Sequence, residues 1–284
     1  MTRFKGSSPA RLVTTFTVPA MPPSTATDLA IDQLVGTQVT DAGDHLVVRS
    51  PGRPGYHWGN FLQVAGGDVD DAHRWVRRFE AAFPGARHLA VGLPREPDPA
   101  AWETLGLTGD VVESLTAERA PQSTDLPAGY HVAPLADEAD WGQRVAAERA
   151  ENEATGEFPP GEYAEFLRGQ CAARRRLVDA GHGHWVGAWT AQGKLAASMG
   201  IVVLDARGAT RRLARYQSVL THPDHRRRGL ARHLLAVAAQ WAADRGAAQW
   251  VIVADDGSDA GRLYRAAGFT PGPRAYGYHA ASWR

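Results

Sequence analysis

The chain has 284 residues and no formal net charge at pH 7, with 31 Lys and Arg residues against 31 Asp and Glu residues. This length suffices for two domains that each bury a core, and the charge balance provides no overall field for nucleic acid or a membrane surface. No run approaches the roughly 18 apolar residues of a membrane span. The single cysteine, Cys171, excludes an intrachain disulfide and fits a reducing cytosol, so we expect a cytoplasmic protein.

The first half of the chain predicts a small α/β domain behind an irregular start. Residues 1–27 predict a loose lead-in rather than a signal peptide, because prolines interrupt any apolar core. Periodicity then predicts, over residues 28–120, strand 56–64, helix 70–83, strand 88–93, helix 99–106 and strand 111–119. The segment 121–128 contains Pro and Ser residues and predicts a linker.

The second half, residues 129–284, predicts a longer series of elements: a strand, two helices, three antiparallel strands, a helix, a strand, a helix and a last strand. Their ranges are 130–135, 137–151, 161–180, 184–190, 195–204, 211–221, 230–245, 249–254, 259–267 and 269–278. The first half repeats the later part of this order in weakened form, which an internal duplication explains economically.

A strand that ends at Thr221 is followed by a tight, arginine-rich loop and a helix from Leu230. The first amides of a helix have no intrahelical partner, and the helix dipole is positive at that end. Gly229 and the small Ala231 allow an anion to approach the backbone, and the residues 226–228 are three arginines. The pattern therefore predicts a site for a pyrophosphate.

The spacing Arg226-x-x-Gly229-x-Ala231 resembles the Gln/Arg-x-x-Gly-x-Gly/Ala signature of the GNAT superfamily of acyl-CoA-dependent N-acyltransferases. After the next apolar strand, the sequence Ala260-x-x-Leu263-Tyr264-x-x-x-Gly268-Phe269 looks like the second signature of that family. The two motifs lie in the expected order, and the resemblance covers residues 129–278.

The resemblance implies an α+β fold with two GNAT-like domains, each a mostly antiparallel, twisted mixed sheet flanked by helices. Residues 129–284 are the expected acetyl-CoA-binding domain. Residues 28–120 are the expected degenerate copy, because Asp68, Asp70 and Asp71 stand where the phosphate loop is missing. These carboxylates repel a pyrophosphate but serve well as helix caps.

The resemblance also implies which residues bind acetyl-CoA and which transfer the acetyl group. Tyr264 matches the Tyr that is commonly assigned as general acid to the departing CoA sulfur; the alternative is a core aromatic with no chemical role. The backbone of residues 219–221 is expected to pair with pantetheine, with an amide near Leu220 facing the thioester carbonyl. The full set expected at the cofactor is Val219, Leu220, Thr221, Arg226, Arg227, Arg228, Gly229, Leu230, Ala231 and Arg232.

Two departures from the family pattern leave the general base unassigned. The family often places a Glu on the strand before the phosphate loop, but no residue from 213 to 220 is acidic here. The Asn that often begins the second signature falls at Gly257, so that Asp255, Asp256 or Ser258 is left to contact pantetheine, and an aspartate there is one candidate base.

Acidic residues cluster between the first two helices of the second half, where the family places a wall of the acceptor site. They are either solvated surface or an acidic wall that favours a cationic amine, with Glu151 and Glu153 as the substrate-binding candidates. The cluster consists of Glu148, Glu151, Glu153 and Glu157. The arginine run 174–176 predicts a solvated helix end. His182 and His184 lack a partnered Cys or carboxylate, so no metal site is expected.

We therefore expect an N-acetyltransferase that moves an acetyl group from acetyl-CoA to a primary amine of a small molecule or peptide. A catalytically reduced module that only binds acyl-CoA is the alternative. Nucleic-acid binding is disfavoured by the neutral charge and by the lack of aromatic residues among the arginine runs. We expect no membrane partner and a monomer or homodimer.

Overall fold

A computed structural model of the chain describes residues 21–156, 158–205 and 212–283. In chain order the elements are α1 (Pro23–Leu34), β1 (Gln38–Asp41), β2 (His45–Arg49), a 3-10 turn (His57–Gly59), β3 (Phe61–Val64), α2 (Ala72–Ala82), β4 (Leu89–Leu93), α3 (Pro99–Glu103), β5 (Thr108–Ala117), β6 (Tyr130–Pro134), α4 (Glu138–Thr155), α5 (Pro160–Asp179), β7 (Gly183–Thr190), β8 (Leu195–Leu204), β9 (Arg212–Thr221), a second 3-10 turn (Pro223–His225), α6 (Leu230–Ala243), β10 (Ala247–Asp255), α7 (Asp259–Ala266) and β11 (Thr270–Ala280).

The described residues divide into two compact units. The first unit holds residues 21, 36–110 and 275–283, and the second holds residues 22–35 and 111–274. Strands β5 and β11 each begin in one unit and end in the other.

In the first unit the strand order is β1-β2-β3-β4-β11. The β3–β4 pair is parallel and the other pairs are antiparallel. Helix α2 buries Trp75 and Phe79 against the sheet, and Trp102 stacks on Tyr278 with ring centroids 5.0 Å apart. Asp71 caps α2 by accepting a hydrogen bond from the Arg74 amide at 3.1 Å, as its position in the sequence predicts.

In the second unit the strand order is β5-β10-β9-β8-β7-β6, and only the β9–β10 pair is parallel. Alternate residues of a strand point to opposite faces of its sheet. Thus Val186 and Ala188 of β7 pack in the core under α6 and α7, while Trp185 and Trp189 pack with Trp141 of α4 in the core under α1, α4 and α5. The sheet is therefore covered by helices on both faces.

The predicted fold class is confirmed: the structure is mixed α/β, with mostly antiparallel strands that are flanked by helices. The elements of the second half also lie within a few residues of their predicted ranges. The predicted duplication and domain boundaries stay predictions, and the compact units divide the chain at other positions.

The first half differs more from its prediction. Residues 23–27, predicted as lead-in, begin helix α1, where Pro23 occupies a first-turn position that needs no amide donor. The predicted strand 56–64 is a 3-10 turn followed by β3, and β1 and β2 were not predicted. The predicted closing strand, 111–119, belongs to β5 and pairs with β10 of the second unit.

The predicted linker also packs within the second unit. Leu126 lies against the core under α6, and the carbonyl oxygen of Thr124 is 2.5 Å from Nδ1 of His233 on α6. The segment is thus an ordered part of that unit.

His57 of the first unit makes stability depend on pH. Burial, followed by the charges of His88 and His279, lowers the pKa of His57 from 6.5 to about 4. A depressed pKa means that the unfolded chain binds the proton more tightly, so this contribution to stability is complete above pH 6.5 and is lost as the pH falls through 4.

We therefore expect His57→Phe, which keeps the stack on His88, to melt roughly 3 °C above the wild type at pH 5 and close to it at pH 8. Thermal melts at the two pH values test this. His73→Phe alters an exposed histidine of the same unit and should leave the pH dependence unchanged. Parallel wild-type and His57→Phe curves contradict the prediction.

Candidate functional site

Strands β9 and β10 run side by side for only part of their length. Their parallel pairing covers residues 212–215 of β9 and 247–251 of β10. Beyond this point residues 216–221 of β9 pair only with β8, among the strands that the structure describes. The edge of β9 that faces β10 is therefore open, and an extended ligand chain can pair with such an edge as an additional strand.

The loop after this open edge leads into helix α6. Gly229 is the residue before the helix and has a φ of 82°, in the left-handed region that glycine enters without a steric penalty. Arg227 also has a positive φ, of 59°. No side chain of a described residue caps α6, so its first amides are available to an anion.

Arg226 links this loop to the end of β9 and to helix α4. Its Nε donates to the carbonyl oxygen of Thr221 at 3.1 Å, and its Nη2 donates to Oε1 of Glu151 at 3.1 Å. One predicted cofactor residue and one predicted substrate residue are thus an ion pair, and both are half exposed.

The other arginines around the loop are less constrained. Arg228 donates to the carbonyl oxygen of Asp224 at 3.2 Å. Arg227 and Arg232 are exposed and form no hydrogen bond or ion pair with another described residue. Their charges are therefore free to neutralise a phosphate that binds at the start of α6.

Tyr264 lies on α7, which follows β10. Its side chain is 3% exposed and packs with Phe269, with ring centroids 6.4 Å apart. Burial raises the pKa of Tyr264 to about 12; the charge of Arg215 opposes this shift and that of Asp255 adds to it. Arg215 is the last residue of β9 that pairs with β10, and Asp255 is the last residue of β10.

The hydroxyl of Tyr264 has no hydrogen-bond partner among the described residues, whereas that of the neighbouring Tyr216 donates to the carbonyl oxygen of Leu235 at 2.7 Å. The Tyr264 oxygen is not among the fully buried side-chain atoms that lack a partner, so it is open to water or to a ligand. At neutral pH Tyr264 carries its proton, as a proton donor must.

The acidic residues between α4 and α5 do not form one acidic wall. Glu148 is buried between two guanidinium groups, 2.8 Å from Nη2 of Arg144 and 2.9 Å from Nη1 of Arg174. Although burial opposes it, the charges of Arg144 and Arg174 lower the pKa of Glu148 to about 2. The arginine at 174, predicted to be solvated, is therefore part of a buried ion network.

The remaining acidic candidates lie on the surface. Glu153 is exposed, and its Oε1 is 3.9 Å from Nη2 of Arg149. Glu157 lies outside the described residues. The substrate-binding roles of Glu151 and Glu153 stay predictions, and the charge of Glu151 is partly offset by Arg226.

Sequence reasoning did not find the network of Arg144, Glu148 and Arg174. The spacing of Arg144 and Glu148 by four residues is the usual spacing of a surface ion pair on a helix, so it indicated nothing unusual. Burial of this pair depends on how α4 packs on β8 and β9, which no local pattern reports.

Arg215 occupies the strand where the family often has a glutamate. Its Nε donates to Oγ1 of Thr27 at 3.1 Å, and its Nη2 lies 3.1 Å from Oδ1 of Asp28, both on α1. Helix α1 thus crosses the sheet where β9 and β10 separate, and Arg215 fixes it there.

The residues that were candidates to replace the family asparagine have separate partners. Asp256 is 3.0 Å from Arg274, and the Ser258 side chain caps α7 by accepting from the Gly261 amide at 3.1 Å. Asp255 acts electrostatically on Tyr264. No general base emerges from this arrangement among the described residues.

Residues 146–269 match the family model described as Acetyltransferase (GNAT) family. The matched segment contains both sequence motifs and the point where β9 and β10 separate. This segment is therefore a GNAT acyltransferase domain. No curated protein matches the chain.

Solved structures share the fold at low sequence identity. A functionally unknown conserved protein from Staphylococcus epidermidis is 12% identical, with a TM-score of 0.64 over 86% of this chain and 93% of the other. A GCN5-related N-acetyltransferase from Kribbella flavida is 19% identical, with a TM-score of 0.59 over 92% and 96% of the two chains. A tandem GNAT protein from the clavulanic acid biosynthesis pathway is 15% identical, with a TM-score of 0.53 over 92% and 95%.

In the part of the chain that the structure describes, no cluster of three or more His, Cys, Asp or Glu side chains is placed to hold a metal ion. Nor is any helix within the described ranges both long and apolar enough to cross a membrane.

Proposed function

We propose that this protein transfers the acetyl group of acetyl-CoA to the primary amine of a small molecule or peptide. The observation that carries the proposal is the open edge of β9 over residues 216–221, continuous with an uncapped helix start at Gly229. The strand edge can pair with an extended chain, and the helix start can bind a pyrophosphate. CoA contains both an extended pantetheine arm and a pyrophosphate.

The reaction balances without any further reactant. The lone pair of a neutral amine forms a bond to the thioester carbonyl carbon, the carbon–sulfur bond breaks, and the sulfur takes a proton while the amine loses one. Tyr264 is the proposed proton donor to the sulfur, and an amide near Leu220 is the proposed donor to the carbonyl oxygen. The proton that the amine loses passes to water or to a group that we do not assign.

An assay of CoA release with acetyl-CoA and a panel of primary amines tests the proposal. We expect release that depends on the amine and yields the N-acetylated product by mass spectrometry. Acetyl-CoA binding by calorimetry without amine-dependent release would instead support the alternative, an acyl-CoA-binding module.

A specific observation keeps that alternative in consideration. No residue from 213 to 220 is acidic, and Arg215 is held by Thr27 and Asp28 rather than directed to a substrate. An amine with a pKa near 10 must still lose a proton before it attacks. The dependence of turnover on pH tests whether a protein base is needed, because activity that rises with pH toward the pKa of the amine requires none.

A further inference from the structure

Strand β9 contains a bulge at the start of its open edge. Ser198 of β8 lies opposite Leu220, and Gly200 lies opposite Gln217, so Ser218 and Val219 together face a single residue of β8. Ser218 has a φ of 50°, a left-handed conformation that is costly for a residue with a Cβ atom. Such a conformation persists only where its surroundings hold it.

A buried guanidinium holds this bulge. Arg144 is 1% exposed, and its Nη2 donates to the carbonyl oxygen of Ser218 at 2.7 Å. Its Nη1 donates to Oγ of Ser198 at 2.5 Å and to the carbonyl oxygen of the same residue at 3.3 Å. Arg144 therefore ties the bulge of β9 to the residue of β8 beside it.

A second arginine completes the arrangement from the neighbouring helix. Nη2 of Arg174 donates to Oγ of Ser218 at 2.9 Å. Glu148 joins the two guanidinium groups, so the cluster carries one net positive charge around Ser218.

This network is not built for stability alone. Nε of Arg144 is buried without a hydrogen-bond partner among the described residues. Replacing a buried ion cluster with apolar side chains is often neutral or stabilising. Stability alone therefore does not explain a cluster that contains an unpaired donor.

We propose that Arg144 is a positioning residue for acyl transfer. The inference rests on the proposed function. By holding the Ser218 carbonyl on the β8 side of β9, where its guanidinium also contacts Ser198, Arg144 fixes the peptide between Ser218 and Val219. A trans peptide is planar and points its N–H opposite to its C=O, so the Val219 N–H is directed toward the open edge of β9.

A charged hydrogen bond to the carbonyl of a peptide also polarises its N–H, which becomes a stronger donor. The Val219 N–H then donates to the thioester carbonyl oxygen, where negative charge develops as the amine attacks. Arg144 acts on the reaction through this peptide without touching acetyl-CoA.

The test compares Arg144→Met with the wild type in two measurements. Methionine removes the guanidinium and its four hydrogen bonds, to the Ser218 carbonyl, to Oγ and the carbonyl of Ser198, and to Glu148, but leaves Glu148 paired with Arg174. We expect kcat for amine acetylation to fall about fivefold to tenfold, while the Kd of unacylated CoA stays within twofold, because CoA lacks the carbonyl. Infrared spectra of bound acetyl-CoA with a 13C carbonyl should show its stretch shifted back toward the value of free acetyl-CoA.

One further variant and a control separate positioning from general damage. Arg144→Lys keeps one donor and should recover part of both signals even where Arg144→Met lowers the melting temperature. Arg149→Met, on an exposed arginine of the same helix, should change neither.

The outcomes distinguish this inference from the proposed function. An unchanged carbonyl stretch and kcat in Arg144→Met overturn the role of Arg144 and leave the acetyltransferase intact. A wild type that binds acetyl-CoA but acetylates no amine contradicts the proposed function, and the infrared comparison still decides the position of the peptide.

Discussion

Tyr264→Phe should lower the turnover of amine acetylation roughly a hundredfold, with the affinity for CoA and the melting temperature almost unchanged. The size follows from the usual contribution of a general acid, which is about 10²-fold to 10⁴-fold. Phenylalanine keeps the ring that packs on Phe269 and removes the only proton that the side chain can give. Steady-state kinetics and calorimetry with CoA measure the two quantities separately.

The structure makes this variant unusually informative, because the Tyr264 hydroxyl has no partner among the described residues. Its removal therefore strands no buried donor or acceptor, and the fold should not suffer. Tyr216→Phe is the matched control in the same core. Its hydroxyl donates to Leu235, so that variant should lose about 1 kcal/mol of unfolding free energy.

Wild-type turnover in Tyr264→Phe, under conditions where chemistry limits the rate, would show that Tyr264 only packs in the core. A solvent isotope effect on kcat identifies such conditions, because it reports a proton transfer in the slow step. A fall in CoA affinity equal to the fall in turnover would indicate a binding role instead.

The elements of the second unit were predictable because their sequence carries the regular periods of helix and strand. In β7 the alternation of Trp185 and Trp189 with small residues marks two buried faces, and in α6 the apolar residues recur at helical spacing. The strand–loop–helix arrangement around Gly229 was predictable for a different reason, because its motif is local; the binding of a phosphate there stays a prediction.

Helix α1 was missed because its buried residues mix polar and apolar side chains. Ser24, Thr27 and Asp32 are buried together with Leu29 and Ile31, so the helix lacks the continuous apolar stripe that periodicity detects. Thr27 faces Arg215, a residue 188 positions later in the chain. An element whose burial is explained by so distant a partner cannot be recognised from its own sequence.

Contacts between distant elements also explain why part of the candidate site was not predicted from the sequence. The strain at Ser218, the ion network of Arg144 and the separation of β9 from β10 arise from packing between elements. The sequence predicts an anion-binding loop at Gly229 and a catalytic tyrosine at 264, and both roles stay predictions. It did not predict how the backbone between them is held, and catalysis by backbone amides depends on that geometry.

Gly229→Val should weaken the binding of CoA at least about tenfold, which corresponds to about 1.4 kcal/mol. A φ of 82° costs a β-branched residue roughly 1–2 kcal/mol of conformational free energy. The variant therefore either leaves this conformation or keeps it at the expense of CoA affinity. The Cβ position at Gly229 has no protein atom within 4 Å. The valine therefore meets no protein atom there, and it projects into the space where the pyrophosphate is proposed to lie. Calorimetry with CoA measures the effect.

A matched control separates the backbone cost from the loss of the ligand site. Gly193, in the turn between β7 and β8, has a φ of 73° and equally open space at its Cβ position. Gly193→Val should therefore lower the melting temperature about as much as Gly229→Val and leave the Kd of CoA unchanged. If both variants bind CoA as the wild type does, the pyrophosphate does not lie at the start of α6, and the phosphate site must be sought elsewhere. If only Gly229→Val loses affinity, the loss belongs to the loop itself, because the two substitutions share the same backbone strain.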